Sequence, residues 1–246
     1  MNPIKLEEDS FMKNKRALVT GASRGIGYEI AKVFSSAGVE VCGTRTKKNG
    51  KNEAVSEWLT ADFGDQSELD KCIKEVKKIS PDILINCAGV NFVAPFINIK
   101  PSEFLRIHQI NVFAPFMFCK ALVPFMKRKG WGRIVNVSSI WGKVGKEYRA
   151  SYMASKFALD GITLALAAEH SKDGILANCV APGFTETDLT RRVLGNEGMK
   201  EIAKAVPSKR LGQPREIAEF IFYLGSEKNT YITGQNIAID GGFTRV

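Results

Sequence analysis

The chain has 246 residues, enough for one large domain with a substantial core. Its hydrophobic fraction of 44% and charged fraction of 25% are ordinary for a globular protein, and no uninterrupted apolar stretch approaches the roughly 20 residues that cross a bilayer. The net charge of +9 comes from short groups (Lys13, Lys15 and Arg16; Lys47, Lys48 and Lys51; Lys127, Arg128 and Lys129) with no long basic tract and no interleaved aromatics, so an anionic cofactor or an acidic protein is a more economical partner than nucleic acid or a membrane.

In chain order, residues 1–11 are mostly polar, lack the apolar core of a signal peptide and read as a flexible leader. The rest, 12–246, reads as one domain. Residues 16–20 (RALVT) predict a short buried strand, followed by GASRGIG and a helix with Ile26, Ile30, Ala31 and Phe34 on one face, ending near Gly38. Further strands are expected at 39–44, 82–86 (DILIN), 134–138 (IVNVS), 176–181 and 237–240. Helical periodicity runs over 67–79, 102–129, 152–170 and 214–225. Strands alternating with helices imply crossover units and a mostly parallel sheet, and continuously apolar strands suit a sheet covered on both faces. Residues 185–205, with Gly195, Asn196 and Gly198, read either as a mobile lid over a substrate or as a plain surface helical hairpin.

Five cysteines at 42, 72, 87, 119 and 179 include no CxxC pair, and neither His108 nor His170 lies near a pair of cysteines. No metal site is suggested. Free thiols in a reducing cytoplasm fit the odd count, and both histidines read as structural.

The first strand–helix turn holds Gly21, Gly25 and Gly27 around Ser23, Arg24 and Ile26. Such a turn lets backbone approach a pyrophosphate, and the helix behind it offers free N–H groups and a positive dipole end. The spacing is G-x-x-x-G-x-G rather than G-x-G-x-x-G. The second strand ends Thr44-Arg45-Thr46-Lys47, without the acid that binds a ribose 2′-hydroxyl in NAD-selective folds. Arg45, with Arg24, is therefore a candidate ligand for the 2′-phosphate of NADP(H).

Tyr152 and Lys156 are one helical turn apart and share a face. A free phenol, with a pKa of about 10, is a poor acid–base group near neutrality, and a neighbouring ammonium favours its ionised form. Ser138 and Ser139 follow a strand, where an open α/β sheet presents ligand-binding groups, and a serine there could hold a substrate oxygen.

Together these motifs resemble the short-chain dehydrogenase/reductase family over residues 13–246. TGASRGIG at 20–27, Asp62, Asn86-Cys87-Ala88-Gly89, Asn111, Ser139, Tyr152, Lys156 and Pro182-Gly183 carry the resemblance. It implies an α/β fold, a single-domain Rossmann-type doubly wound parallel sheet of about seven strands with helices on both faces, often assembled as a homotetramer. It implies that Tyr152 exchanges a proton with the substrate oxygen, that Lys156 tunes the tyrosine and binds the nicotinamide ribose, and that Ser139 binds the substrate oxygen. Asn111 would hold a proton-relay water. Asp62 and Phe63 would lie at the adenine, Asn86, Ala88 and Gly89 near the adenosine ribose, and Pro182, Gly183, Thr185 and Thr187 over the nicotinamide.

Within the family, residues 181–188 (APGFTETD), 210–217 and 231–234 are similar to bacterial 3-oxoacyl-(acyl-carrier-protein) reductases. That resemblance implies fatty acid biosynthesis, with the basic residues at 127–129 and Lys172 meeting an acidic carrier protein. Val90-Asn91-Phe92-Val93, Trp141 and Lys143 depart from the usual pattern at the expected substrate pocket. A sugar, polyol or other small alcohol therefore stays open as substrate. A non-catalytic dinucleotide sensor is disfavoured by the intact Ser139, Tyr152 and Lys156.

Overall fold

The strands β1 (Arg16–Val19), β2 (Glu40–Arg45), β3 (Glu57–Thr60), β4 (Ile83–Asn86), β5 (Gly132–Val137), β6 (Ile175–Pro182) and β7 (Asn236–Ile239) form one sheet in a computed structural model, which describes residues 12–48 and 52–246. The leader expected over 1–11 lies outside the described residues, as does Lys51. The strand order is β3-β2-β1-β4-β5-β6-β7, parallel throughout. The chain starts at the middle of the sheet, builds outward to β3, then returns across β1 to β4. This order reversal opens a crevice at the carboxyl ends of β1 and β4, where such sheets bind ligands.

Side-chain alternation sends Ala17 and Val19 to one face and Leu18 to the other, and Ile83 and Ile85 opposite Leu84. Helices α1 (Gly25–Ser36) and α7 (Pro214–Gly225) cover the first face with Ile30, Phe34, Ile217 and Ile221. Helices α2 (Gln66–Ile79) and α4 (Ala114–Lys129) cover the second with Leu69, Val76, Phe118 and Leu122. β5 and β6 are buried along their whole length, as strands covered on both faces must be.

The single helix expected over 102–129 is three segments: α3 (Pro101–His108), a π-helical turn (Gln109–Phe113) and α4. The whole run Pro101–Lys129 is long and apolar enough to cross a membrane by length and composition, contrary to the expectation from uninterrupted apolar residues. Its most apolar window is 56% buried within the fold, against the sheet and neighbouring helices. β3 was not among the strands read from the sequence. Its four half-exposed or exposed residues form the sheet edge and pair only with β2.

Helix α5 (Ala150–His170) starts earlier than its periodicity suggests, and α6 (Asp188–Ala205) is broken at Gly195, whose φ is 63°. Thr187 caps α6 by accepting the Thr190 N–H at 3.2 Å.

Lys127, Arg128 and Lys129 end α4, before β5 begins, and Lys172 lies in the short turn Ser171–Asp173 before β6. In a parallel sheet both places lie at the amino ends of the strands, opposite the crevice. Lys127 is paired with Asp173 at 3.1 Å and Lys129 with Asp82 at 2.6 Å. The docking role expected for these residues would seat a carrier protein at the amino ends of the strands.

Candidate active site

The glycine turn is a backbone cradle. Gly21 and Gly25 have φ of 70° and 57°, values that favour glycine. A Cβ at Gly27 would collide with the carbonyl oxygen of Gly21, and one at Gly21 would lie 3.0 Å from Ala88 Cα. The Thr20 hydroxyl accepts the N–H groups of Cys87 and Ala88 at 2.9 and 3.0 Å, tying the ends of β1 and β4 together. The N-terminus of α1 has no side-chain cap and no acid in its first turn, so its N–H groups and positive dipole end stay available to an anion. Room at the glycines and an uncapped helix start fit a dinucleotide pyrophosphate.

Arg45 ends β2. Its guanidinium lies 4.7 Å from the Trp58 ring centroid and its Nε donates to Thr60 Oγ1 at 3.3 Å, which holds a cation at the rim of the cradle. Arg24 is exposed at the start of α1. Asp62 accepts the Gly64 N–H at 2.8 Å and faces Arg106 at 3.7 Å. Phe63 packs its ring on Phe118 with centroids 5.2 Å apart, so only its backbone is left for a ligand.

Tyr152 and Lys156 lie in the first two turns of α5. Lys156 is buried and its Nζ donates to the Val137 carbonyl at 2.8 Å, next to Ser138 and Ser139. The same Nζ is 5.5 Å from the Tyr152 ring centroid. Ser139 is buried, and its hydroxyl accepts the Trp141 N–H at 3.2 Å. The fully buried Asn111 sits in the π-helical turn. Its amide donates to Val90 O at 2.8 Å and Ser155 Oγ at 3.0 Å, and its carbonyl oxygen accepts Val90 N–H at 2.9 Å. The position a Cβ would take on Gly89 is 3.4 Å from Asn111 Oδ1 and 3.6 Å from Lys156 Nζ. Gly89, Asn111, Ser139, Tyr152 and Lys156 thus converge from four separate stretches of chain.

Pro182 ends β6. A Cβ on Gly183 would meet Asp240 Cα at 2.7 Å, so only glycine brings the two segments this close. Thr185 is buried and pairs with Gly212 in a short parallel bridge. Thr187 faces Gly25, with its Cγ2 3.7 Å from where a Cβ on that glycine would lie, so the strand exit borders the glycine cradle.

Asn86 stands apart from this group. Its side chain is turned into the sheet, where its amide donates to Asn136 Oδ1 at 2.8 Å. Asn136 in turn donates to Thr163 Oγ1 at 2.8 Å, and Thr163 donates to Leu159 O, also at 2.8 Å. The Asn86 side chain is thus a structural link from β4 through β5 to α5, which leaves its backbone for the adenosine-ribose contact expected there. Sequence reasoning missed Asn136 and Thr163, because a polar residue inside a strand or helix carries no periodic signal of its own, and it gave Thr20 no role beyond its place in the glycine motif. His108 stacks on Phe104 and His170 contacts Asp173. Among the described residues no group of three or more His, Cys, Asp or Glu side chains could hold a metal ion.

A glycine cradle at the order reversal and a serine–tyrosine–lysine group at its flank define a dinucleotide-dependent oxidoreductase on an open α/β sheet. Residues 21–244 match the family model described as enoyl-(acyl carrier protein) reductase. The 3-oxoacyl-[acyl-carrier-protein] reductase FabG of Buchnera aphidicola is 37% identical over 240 residues, covering 94% of this chain and 98% of the relative. Among solved structures, a gluconate 5-dehydrogenase from Burkholderia cenocepacia in complex with NADP and tartrate superposes with a TM-score of 0.88 at 27% identity, covering 97% and 99% of the two chains. A 4-hydroxyisoleucine dehydrogenase complexed with NADH gives 0.88 at 30% identity, covering 95% and 100%. The chain belongs to the short-chain dehydrogenase/reductase family and is an NAD(P)-dependent oxidoreductase.

Proposed function

We propose that the protein reduces the 3-oxo group of an acyl thioester, carried on acyl-carrier protein, to a secondary alcohol with NADPH. The observation that carries the chemistry is the placement of Lys156, bonded at the end of β5 beside Ser139 and one helical turn from Tyr152. The whole-length similarity to 3-oxoacyl reductases supports the substrate.

Bound NADPH supplies the hydride. Tyr152 donates its phenolic proton to the substrate oxygen, so that carbonyl, hydride and proton yield the alcohol. Ser139 donates a hydrogen bond to the same oxygen. Lys156 stabilises the phenolate left behind and binds the ribose hydroxyls, and Asn111 holds the water that returns a proton. The backbone of Gly21, Ser23, Arg24, Gly25, Ile26 and Gly27 holds the pyrophosphate, while Arg24 and Arg45 meet the 2′-phosphate. Asp62 and the Phe63 backbone hold the adenine, Ala88 and Gly89 border the adenosine ribose, and Pro182, Gly183, Thr185 and Thr187 cover the nicotinamide. In this reading residues 185–205 act as a substrate cover, supported by Thr187 over Gly25 and by the break at Gly195.

The enzyme is proposed to be a cytoplasmic homotetramer. Exposed Leu105 and Phe116 line a groove of about 680 Å³ and, with exposed Phe157 and Leu164, offer apolar area for further copies of the chain.

The test is NADPH oxidation by purified protein with acetoacetyl-CoA, run beside NADH and beside gluconate with NADP. Rapid NADPH-dependent reduction of the thioester is expected. Oxidation of gluconate without thioester turnover would instead establish the polyol reading, which the likeness to a gluconate 5-dehydrogenase favours.

A further inference from the structure

Three aromatic rings meet on the side of the site away from the glycine cradle. Trp141 follows Ser139 in the short turn Ile140–Gly142 at the exit of β5, Phe184 follows Pro182 at the exit of β6, and Phe243 follows β7. Their centroids form a triangle with edges of 5.9 Å (Trp141–Phe184), 6.0 Å (Trp141–Phe243) and 5.2 Å (Phe184–Phe243). Interplanar angles of 78°, 87° and 88° make every contact edge-to-face, the favoured geometry for aromatic pairs.

Backbone contacts fix all three. The Trp141 N–H binds Ser139 Oγ at 3.2 Å, so ring and serine share one turn. Phe184 O accepts the Gly212 N–H at 2.9 Å. Phe243 belongs to a C-terminal turn organised by Asp240, whose carboxylate accepts Gly242 N–H, Thr244 N–H and the Thr244 hydroxyl at 2.9, 2.9 and 2.7 Å. All three residues are only partly buried. Lys143 could have placed a cation nearby, but its ammonium is bound to Asn236 O at 2.7 Å.

We propose that Trp141, Phe184 and Phe243 form an apolar wall beside Ser139 that selects carbonyl substrates with an apolar acyl arm and disfavours polyhydroxylated ones. This rests on the thioester reading above and adds to it which arm is recognised and by which residues. The exits of β5, β6 and β7 are adjacent at the carboxyl edge of the sheet, beyond the cofactor half, so a substrate oxygen held by Ser139 brings its substituent against these rings. An alkyl arm leaves water there, whereas a sugar hydroxyl would lose water and find few partners among ring carbons.

The experiment measures kcat and KM for 3-oxobutanoyl-, 3-oxohexanoyl- and 3-oxooctanoyl-CoA with the wild type, Phe243→Ala and Phe243→Leu. NADPH affinity is followed by nucleotide fluorescence. Wild-type kcat/KM should rise with arm length, by up to about fifteenfold per two methylenes at full burial. Phe243→Ala should flatten that rise through KM, leave NADPH affinity within about twofold, and be largely rescued by Phe243→Leu. A flat wild-type profile, or an equal loss on all three substrates, overturns the wall while leaving thioester reduction standing.

A second readout does not depend on turnover. Tryptophan emission is titrated with 3-hydroxyoctanoyl-CoA and with gluconate, in the wild type and in Trp141→Phe. Quenching by the acyl compound that Trp141→Phe abolishes supports the wall. No response, or an equal response to gluconate, overturns it. Failure of every thioester to turn over removes the parent reading, and this titration then decides the wall alone.

Discussion

Lys156 Nζ lies 5.5 Å from the centroid of the Tyr152 ring while donating a 2.8 Å hydrogen bond to the Val137 carbonyl. One ammonium therefore joins the helix that carries the tyrosine to the strand that leads into Ser139. Tyr152→Phe removes only the hydroxyl and leaves this link intact. It should lower kcat by about 10³-fold, the range of a lost general acid, with the NADPH dissociation constant unchanged. Lys156→Met should lose turnover and weaken NADPH binding as well. Stopped-flow single turnovers with fluorescence titrations separate the two, and a Tyr152→Phe enzyme with wild-type turnover would remove the assigned chemistry.

Arg45 stacks over Trp58 at the end of β2, and the residues that follow it in sequence, Thr46-Lys47-Lys48, carry no carboxylate. Arg45→Ala should raise KM for NADPH by about tenfold or more and change KM for NADH little, because only NADPH carries the 2′-phosphate that the guanidinium meets. Parallel steady-state assays check this. Equal effects on the two coenzymes would exclude Arg45 from the phosphate site.

The buried chain Asn86–Asn136–Thr163 fixes α5 on the sheet. Thr163→Val keeps the shape and deletes the hydroxyl, leaving Asn136 without its acceptor. It should destabilise the protein by about 1–3 kcal/mol, the usual cost of an unpaired buried polar group. Urea denaturation measures it, with Thr163→Ser as the variant expected to retain most of the stability.

Burial pushes the thiols of Cys42, Cys72, Cys87, Cys119 and Cys179 up to about 12. At pH 7–9 these thiols stay protonated in the native state, whereas in the unfolded chain they ionise near pH 8.5. The sign follows from the raised values: stability is intact below the unfolded value and falls as pH climbs from there toward 12. Iodoacetamide at pH 8 should label the native protein far more slowly than the urea-unfolded protein. Mass spectrometry reads the difference, and equal rates would contradict buried neutral thiols.

Local patterns carried much of the fold. Buried strands such as RALV and ILIN announce themselves by apolar runs, and α1 and α7 by their periodicity. β3 was illegible because a short edge strand exists through its pairing with β2 rather than through its own hydrophobicity. The π-helical turn was hidden because a helical period does not show that Asn111 is held by Val90 and Ser155.

The sequence by itself determined what sterics and charge encode locally. The glycines of the cradle, the one-turn spacing of Tyr152 and Lys156, and the absence of an acid after β2 are all of this kind. Tertiary structure alone decided what depends on distance between remote segments. It turned Asn86 into the sheet, placed the basic residues 127–129 at the end opposite Tyr152, and drew Trp141, Phe184 and Phe243 into one cluster. The physical reason is that backbone torsions and helical period act within a few residues, while strand order and packing set which ends of a parallel sheet come together.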